Sequence, residues 1–577
     1  TPPRSRPGPS GGRRRPRRPA PPGISRRESS NRIRILAIGT VALLGAMGLR
    51  AGYLGVVKGE DLQAIASSQQ VHTVDMPAIR GSILDRTSAE LAVDRLTARV
   101  EAAPYLIADP VATAAQLAPL LRRPPAEIAA DLDRTKSYVI LARRVDHSTA
   151  ERIRALKING VDVIDTSTRY LPQRWVAAQL VGLVGDEGAG LSGLELGYDE
   201  VLTGRPGSRT EARDPFQHTL RTLRSVRPEP GRAVLLTLDS DIQRATEEEL
   251  ARVVRTSEAR GAMAVVMRPR DGAILAMASV PRFDPNDRSD YDPERARNGP
   301  VAATFEPGST FKIVPVAAAL EAGEVTPDTV IDVPPVLQVE DLELHDAHEH
   351  GHERWSVTEI VERSSNIGTV RVAQDLGRAR MQEWITRFGF GAPTGVDIPG
   401  EESGLVLPVE KWSGTSIANI PIGQGVAVTQ VQLARAYAAI ANGGMLVTPH
   451  VVQRVGDEPA TPAPARRIMR PQTARQLDGM LRRVVSPDGT APAAVIPGYT
   501  VAGKTGTAQK IEEDGTYSDS RYLVSFVGYF PADRPELVIA VAVDEPRVGS
   551  SGGEVAAPAF RTIGLFSATT LRIAPDG

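Results

Sequence analysis

The sequence predicts an α+β catalytic domain, preceded by an elongated mixed pedestal and a single N-terminal membrane-spanning helix. Three observations carry this reading. After residue 229, strand-like apolar runs stand at both ends of the region with helical segments between them, so one mainly antiparallel sheet must be assembled from distant parts of the chain. Near the N-terminus an apolar stretch is long enough to cross a bilayer. Between the two, residues 58–228 alternate short strand-like and helical pieces with many turns.

Composition sets the bounds. At 577 residues the chain exceeds one ordinary domain, and 41% hydrophobic residues suffice for large cores. The absence of cysteine excludes disulfides, thiolate metal sites and a cysteine nucleophile. A net charge of −1 hides an asymmetry, because residues 1–34 hold eleven Arg and a single acid, Glu28. Such a Pro-Arg-rich tail cannot bury apolar area and is expected to be disordered. Nucleic-acid binding is one reading of it. The next segment argues against that reading.

Residues 35–57, "ILAIGTVALLGAMGLRAGYLGVV", are apolar apart from Arg50, whose stem can reach the headgroups. A basic flank before this span and an acidic bulk after it read as tail in the cytoplasm and body outside. A cleaved signal peptide is the competing reading, since the unbroken run covers only 35–49. The long basic tail and the apolar sequence beyond Arg50 favour an anchor, with the tail as a topology and anionic-lipid signal. The expected organisation is a tail (1–34), an anchor (35–57), a pedestal (58–228) and a catalytic domain (229–577).

The pedestal holds "RGSILDR" (80–86), "RYLP" (169–172) and "GLSGLELGYDEVLTGRPG" (190–207), none of which pairs a nucleophile with a base. "TLDSDIQRATEEELARVV" reads as an amphipathic helix capped near Asp239. "GAMAVVMRPRDGAILAMAS" reads as a hairpin around Asp-Gly, and "YLVSFVGYF" with "LVIAVAVD" (522–544) as a second. Capping boxes open two helices, Ser356 with Glu359 and Thr429 with Gln432, the latter helix stopping at Asn442-Gly443-Gly444.

The chemistry starts at Phe305–Pro315, "FEPGSTFKIVP". In a helix Ser309 and Lys312 share a face, so hydroxyl and amine come within reach of one another. A serine needs a base to become nucleophilic. No histidine has the setting of a Ser-His-Asp triad, and there is no G-x-S-x-G elbow. The bland alternative is that Ser309 merely caps a helix, and Pro315 must fit an early turn or kink the helix. Two further stretches add to the case: Ser364-Ser365-Asn366, an S-x-N between two helical runs, and Lys504-Thr505-Gly506 followed by Thr507 on a strand-like run.

Taken in order, S-x-x-K, S-x-N and K-T-G match the set of the penicillin-recognising serine acyltransferases. The chain resembles class B penicillin-binding proteins, the monofunctional peptidoglycan D,D-transpeptidases, over nearly everything after the tail. R-G-x-I-x-D-R at 80–86, G-x-x-G-x-E-x-x-Y-D at 190–199 and G-Q-G at 423–425 extend the likeness. The resemblance implies a serine-β-lactamase-like transpeptidase fold and no cofactor. Ser309 would attack the D-Ala-D-Ala carbonyl of a stem peptide, with Lys312 as general base. Ser364 would relay a proton to the leaving amine, and Asn366 would hold Lys312 and the substrate amide. Lys504 would supply positive potential, and Thr505, Gly506 and Thr507 would line the substrate carboxylate site. The N–H groups of Ser309 and Thr507 would form the oxyanion hole. Implied partners are stem peptides, β-lactams as covalent inhibitors, a SEDS-family glycosyltransferase and other divisome membrane proteins. "EPGSTFK" and the compact pedestal resemble the division-specific branch. A carboxypeptidase, a β-lactamase-like hydrolase and a silent scaffold or β-lactam sensor are the alternatives.

The chain has seven Lys against sixty-one Arg, and Lys at 312 then makes chemical sense. A Lys must drop by about 3 pH units, roughly 4 kcal/mol, to act as a base near neutrality, whereas an Arg must drop by about 7. "HDAHEHGHE" (345–353) gathers four of the eight histidines. Its spacing fits no zinc pattern, and it is expected to be a polar loop near the cleft with no metal.

Overall fold

The computed structural model describes residues 26–58, 71–213, 219–512 and 514–576. Most of the basic tail lies outside them. The chain divides into two compact units, residues 1–74 with 209–225, and residues 75–208 with 226–577.

The first unit contains helix α1 (Arg26–Gly52), which runs on through a π-turn at Tyr53–Val57. From Asn31 to Val57 it is long and apolar enough to cross a membrane. Its Ile35, Leu36, Val41, Leu44 and Leu49 all face outward. The unit also carries most of a three-stranded sheet, in the order Val71–Met76, Gly207–Arg213, Thr219–Val226.

The second unit opens with the bulk of the pedestal, built on β1 (Glu90–Ala102), β2 (Val139–Asp146) and β3 (Val161–Tyr170). β1 pairs antiparallel with both of the others. The short strand Ile83–Leu84 continues this sheet into Val234–Leu236 and Val452–Val455, so pairing runs across the expected domain boundary at 228–229. The singled-out pedestal stretches meet in one buried network. The Arg80 guanidinium donates to Glu195 at 2.6 Å and to Asp199 at 2.7 Å, and Arg169 donates to the other Glu195 oxygen at 2.6 Å. Asp85 accepts from the Ser240 hydroxyl at 2.6 Å and Arg86 pairs with Asp239 at 2.9 Å, tying the same motif to the first catalytic-domain helix.

That helix is α2 (Ser240–Ser257), capped by Asp239. The sheet that follows takes β4 (Gly261–Met267) and β5 (Ile274–Val280) from one end of the domain. Helices α3 (Ile313–Ala322), α4 (Val357–Glu362), α5 (Asn366–Leu376), α6 (Gln430–Ala441) and α7 (Pro471–Val484) intervene. β6 (Ala502–Ile511), β7 (Tyr517–Phe530), β8 (Leu537–Asp544) and the closing helix α8 (Gly552–Leu571) complete the domain. The five strands are antiparallel in the order β5-β4-β8-β7-β6, as the two expected hairpins require. Both expected capping boxes form, at α4 and α6.

Alternation along β7 separates the two faces of the sheet. Phe526 and Phe530 pack on Phe560 of α8, whereas the Tyr529 hydroxyl points the other way and donates to Asp478 of α7 at 2.9 Å. Lys504 pairs across the strands with Val527, on the α7 face. α3 fills the space behind that face, with Ile313 to Leu320 all buried.

Candidate active site

Ser309 does not sit on the α-helix itself. It rides a 3₁₀ turn, Gly308–Lys312, that feeds directly into α3. With three residues per turn, positions 309 and 312 eclipse one another, so the three-residue spacing stacks them more directly than an α-helix would. Pro315 becomes the third residue of α3, where no intrahelical N–H is needed, and causes no break.

Two glycines let this turn approach the sheet. At Gly308, with φ +54°, an added Cβ would lie 2.5 Å from the Thr507 carbonyl oxygen. At Gly506 it would lie 2.4 Å from Ser525 Oγ and 2.9 Å from the Pro307 carbonyl. Any side chain at either position would push the serine turn off β6. G-Q-G is bonded to the serine turn: Gly308 N–H donates to Gly423 O at 3.2 Å, and Gly425 N–H to Glu306 at 2.7 Å. The buried Tyr437 hydroxyl donates to Thr310 O at 2.9 Å.

Lys312 and Lys504 are both wholly buried, with relative exposures of 1% and 0%. Lys312 Nζ donates to Ser364 O at 2.6 Å, Asn366 Oδ1 at 2.7 Å and Ser364 Oγ at 3.3 Å. Lys504 Nζ donates to the same Ser364 Oγ at 2.8 Å and to Thr505 O at 3.2 Å. One hydroxyl therefore bridges two ammonium groups. Burial pulls Lys312 down to about 7, against the opposing charge of Asp346. Burial, then the charge of Lys312, holds Lys504 well below the ordinary lysine range.

Ser364 reaches this position through an unusual backbone. α4 ends in a Schellman arrangement, Ser364 N–H donating to Val361 O at 3.2 Å and Ser365 N–H to Ile360 O at 2.9 Å. Ser364 takes the left-handed residue of that motif, at φ +60°, where glycine is usual. The conformation turns both the hydroxyl and the carbonyl of Ser364 toward Lys312.

Ser309 is half-buried, and its hydroxyl makes no hydrogen bond to another described residue. The close Ser309–Lys312 approach expected from the spacing is thus not a hydrogen bond here, and Lys312 Nζ is turned instead toward Ser364 and Asn366. Thr507 is exposed on β6 beside Gly308. Thr505 is nearly buried, its hydroxyl shared with Thr490 at 2.9 Å. The motifs far apart in sequence thus converge on one site.

Asp346 was not among the expected site residues. It comes from the histidine-rich segment and accepts the Ser365 hydroxyl at 2.7 Å and the Ile367 N–H at 3.0 Å, with Asn366 N–H beside it. The carbonyl of its neighbour, His345, accepts Asn366 Nδ2 at 2.9 Å. The only sequence signal was an acid among histidines just upstream of S-x-N. Among the described residues no His, Asp or Glu cluster could hold a metal ion.

Comparison with known proteins agrees with this geometry. Residues 262–564 match the penicillin binding protein transpeptidase domain and residues 75–236 the penicillin-binding protein dimerisation domain. The chain is 36% identical to penicillin-binding protein PbpB of Mycobacterium tuberculosis, over 91% of this chain and 83% of that protein. It is 30% identical to peptidoglycan D,D-transpeptidase FtsI of Escherichia coli, over 91% of this chain and 90% of that protein. A crystal structure of penicillin binding protein 3 from Mycobacterium tuberculosis complexed with ampicillin superposes with a TM-score of 0.69 at 33% identity, covering 87% of this chain and 97% of that one. The paired domains and these relatives show that the chain belongs to the penicillin-binding protein transpeptidases, in their class B branch.

Proposed function

We propose that this protein cross-links peptidoglycan stem peptides through an acyl-enzyme on Ser309, outside a membrane in which α1 anchors it. The observation that carries the mechanism is the buried lysine pair closed on Ser364 Oγ. Lys312 holds about 7, so near neutrality a large fraction is the free amine that a general base must be. Its contact to Ser364 Oγ, the longest of the three, is the one most readily given up, since Lys504 also donates to that oxygen. The freed lone pair takes the Ser309 proton as Oγ attacks the carbonyl of the penultimate D-Ala. The N–H groups of Ser309 and Thr507 receive the oxyanion. Ser364, fed by Lys504, passes a proton to the departing D-Ala amine. Thr505, Gly506 and Thr507 line the site for the substrate's terminal carboxylate, and Asn366 fixes the peptide amide. The amine of a second stem peptide then attacks the ester, forming the cross-link and restoring the serine.

A β-lactam enters by the same first step and stays, because no amine displaces it. The division-specific reading rests on "EPGSTFK" and carries with it a SEDS-family glycosyltransferase and other divisome membrane proteins as partners. The basic tail before α1 and the acidic body after it support a cytoplasmic N-terminus and an extracytoplasmic catalytic domain. Labelling with a fluorescent penicillin, digestion and mass mapping tests the nucleophile. The adduct is expected on the peptide containing Ser309. An adduct on Ser364, or none on folded protein, would sink the assignment.

A further inference from the structure

The histidine-rich segment has an account that the reaction sequence above does not use. Asp346 is 6% exposed and carries four donors, two on each oxygen. Ser365 Oγ and His350 Nε2, at 2.7 and 3.0 Å, take one oxygen, and the N–H groups of Asn366 and Ile367 take the other. Asn366 and Ile367 open α5, whose first N–H groups have no partner within the helix. Gly368, the next, donates to Ser365 Oγ at 2.9 Å. The N-terminus of α5 is therefore capped from a segment twenty residues upstream, by an anion placed where the helix dipole favours one. His350 is held against Asp346 by Gly351 O, at 2.7 Å from Nδ1, and by the Trp355 ring, whose centroid is 4.8 Å away. The Arg363 guanidinium lies over Trp355 at 5.4 Å.

This assembly controls two things that the chemistry needs. His345 O takes one amide proton of Asn366 at 2.9 Å, which turns Oδ1 toward Lys312, and Asp346 fixes the backbone that carries that amide. The Asp346 charge is also the anion that opposes burial at Lys312. The ionisable groups gathered here are Lys312, Lys504, Asp346 and His350, with Arg363 beyond Trp355.

We propose that Asp346, held in turn by His350, is a positioning residue for acylation: it sets the geometry of the Ser364–Asn366 turn that holds Lys312 and places a fixed negative charge behind that turn. The proposal rests on the transpeptidase reading above. The test is the penicillin acylation rate of the detergent-solubilised full chain against pH, with melting temperatures alongside. In Asp346→Asn the plateau should fall at least about tenfold as the turn loosens. The acid limb should move to lower pH by about one unit, because Lys312 loses its counter-charge. Asp346→Glu keeps the charge on a longer arm, so its plateau should fall while its limb stays in place.

A wild type that takes up no penicillin would sink the transpeptidase reading, and this proposal with it. A wild type that acylates, beside a folded Asp346→Asn that keeps both plateau and limb, would overturn this proposal alone. A lowered plateau with an unmoved limb in Asp346→Asn would reduce Asp346 to a structural residue and overturn it too. Should Asp346→Asn not fold, an undiminished plateau in Asp346→Glu or in His350→Ala decides against it.

Discussion

Two ammonium groups closing on one hydroxyl, at 3.3 and 2.8 Å in a fully buried site, oppose each other's charge. Burial leads Lys312 to give up its proton near pH 7, which makes it useful and sets what can replace it. Lys312→Arg keeps the charge and most of the stem, yet guanidinium accepts no proton at workable pH. Its acylation rate should fall by about 10² or more, in the range of a lost general base. Lys504→Arg should retain far more activity, since that position needs charge and a donor. Stopped-flow penicillin acylation of both variants checks this, and a Lys312→Arg chain near the wild-type rate would refute the base. For the wild type, acylation should rise with pH through about 7, as Lys312 releases its proton. Ser364→Gly separates fold from chemistry. The left-handed backbone at 364 costs a non-glycine residue about 1 kcal/mol. The glycine variant should therefore melt no lower than wild type in calorimetry while its acylation drops at least about 10²-fold.

At the scale of elements, α2 carries a second buried titrating group. Glu247 is fully buried, and burial pushes it up to about 7 although Gln243 and the Ala177 N–H both donate to it. In the unfolded chain it titrates near 4.5. Its contribution to stability is therefore full below about 4.5 and lost as pH rises to 7, a penalty of about 3 kcal/mol above that. Glu247→Gln keeps an acceptor for both donors and should melt higher than wild type at pH 8, the two curves meeting near pH 4.5. Identical pH dependence in both chains would contradict the burial argument. Elements whose signals are local were legible in the sequence: the capping boxes of α4 and α6, the Asp239 cap of α2 and both hairpins form as their residues predict. The serine turn was legible in place but not in type, because a three-residue spacing suits α and 3₁₀ alike and only packing against β6 at Gly308 and Gly506 selects the tighter turn. Asp346 was not legible as a site residue, since its cap on α5 is made through space by a loop with no periodicity.

At the scale of the molecule, the pedestal and the catalytic domain share a sheet and are tied by Asp85 with Ser240 and Arg86 with Asp239, pairs 155 and 153 residues apart that no window of sequence displays. Glu195 is 0% exposed and pairs with both Arg80 and Arg169, one on each oxygen. Glu195→Ala removes the carboxylate shared by two guanidinium groups, leaving Arg80 paired with Asp199 and Arg169 with Asp94, and should cost about 3 kcal/mol, read by denaturant unfolding. Its acylation rate near Ser309 should be unchanged where the chain is folded, because the network touches none of the cleft residues. Domain pairing and the converging motifs belong to a polymer-cross-linking enzyme, and the acceptor decides between that and a hydrolase. The most direct measurement incubates the full chain in lipid nanodiscs with a D-Ala-D-Ala-ending stem-peptide donor and a labelled acceptor amine, following the products by mass spectrometry. A donor–acceptor cross-link with one D-Ala released, absent in Ser309→Ala, is the predicted result. Release of D-Ala with only hydrolysed donor, or a cross-link that survives Ser309→Ala, would contradict it.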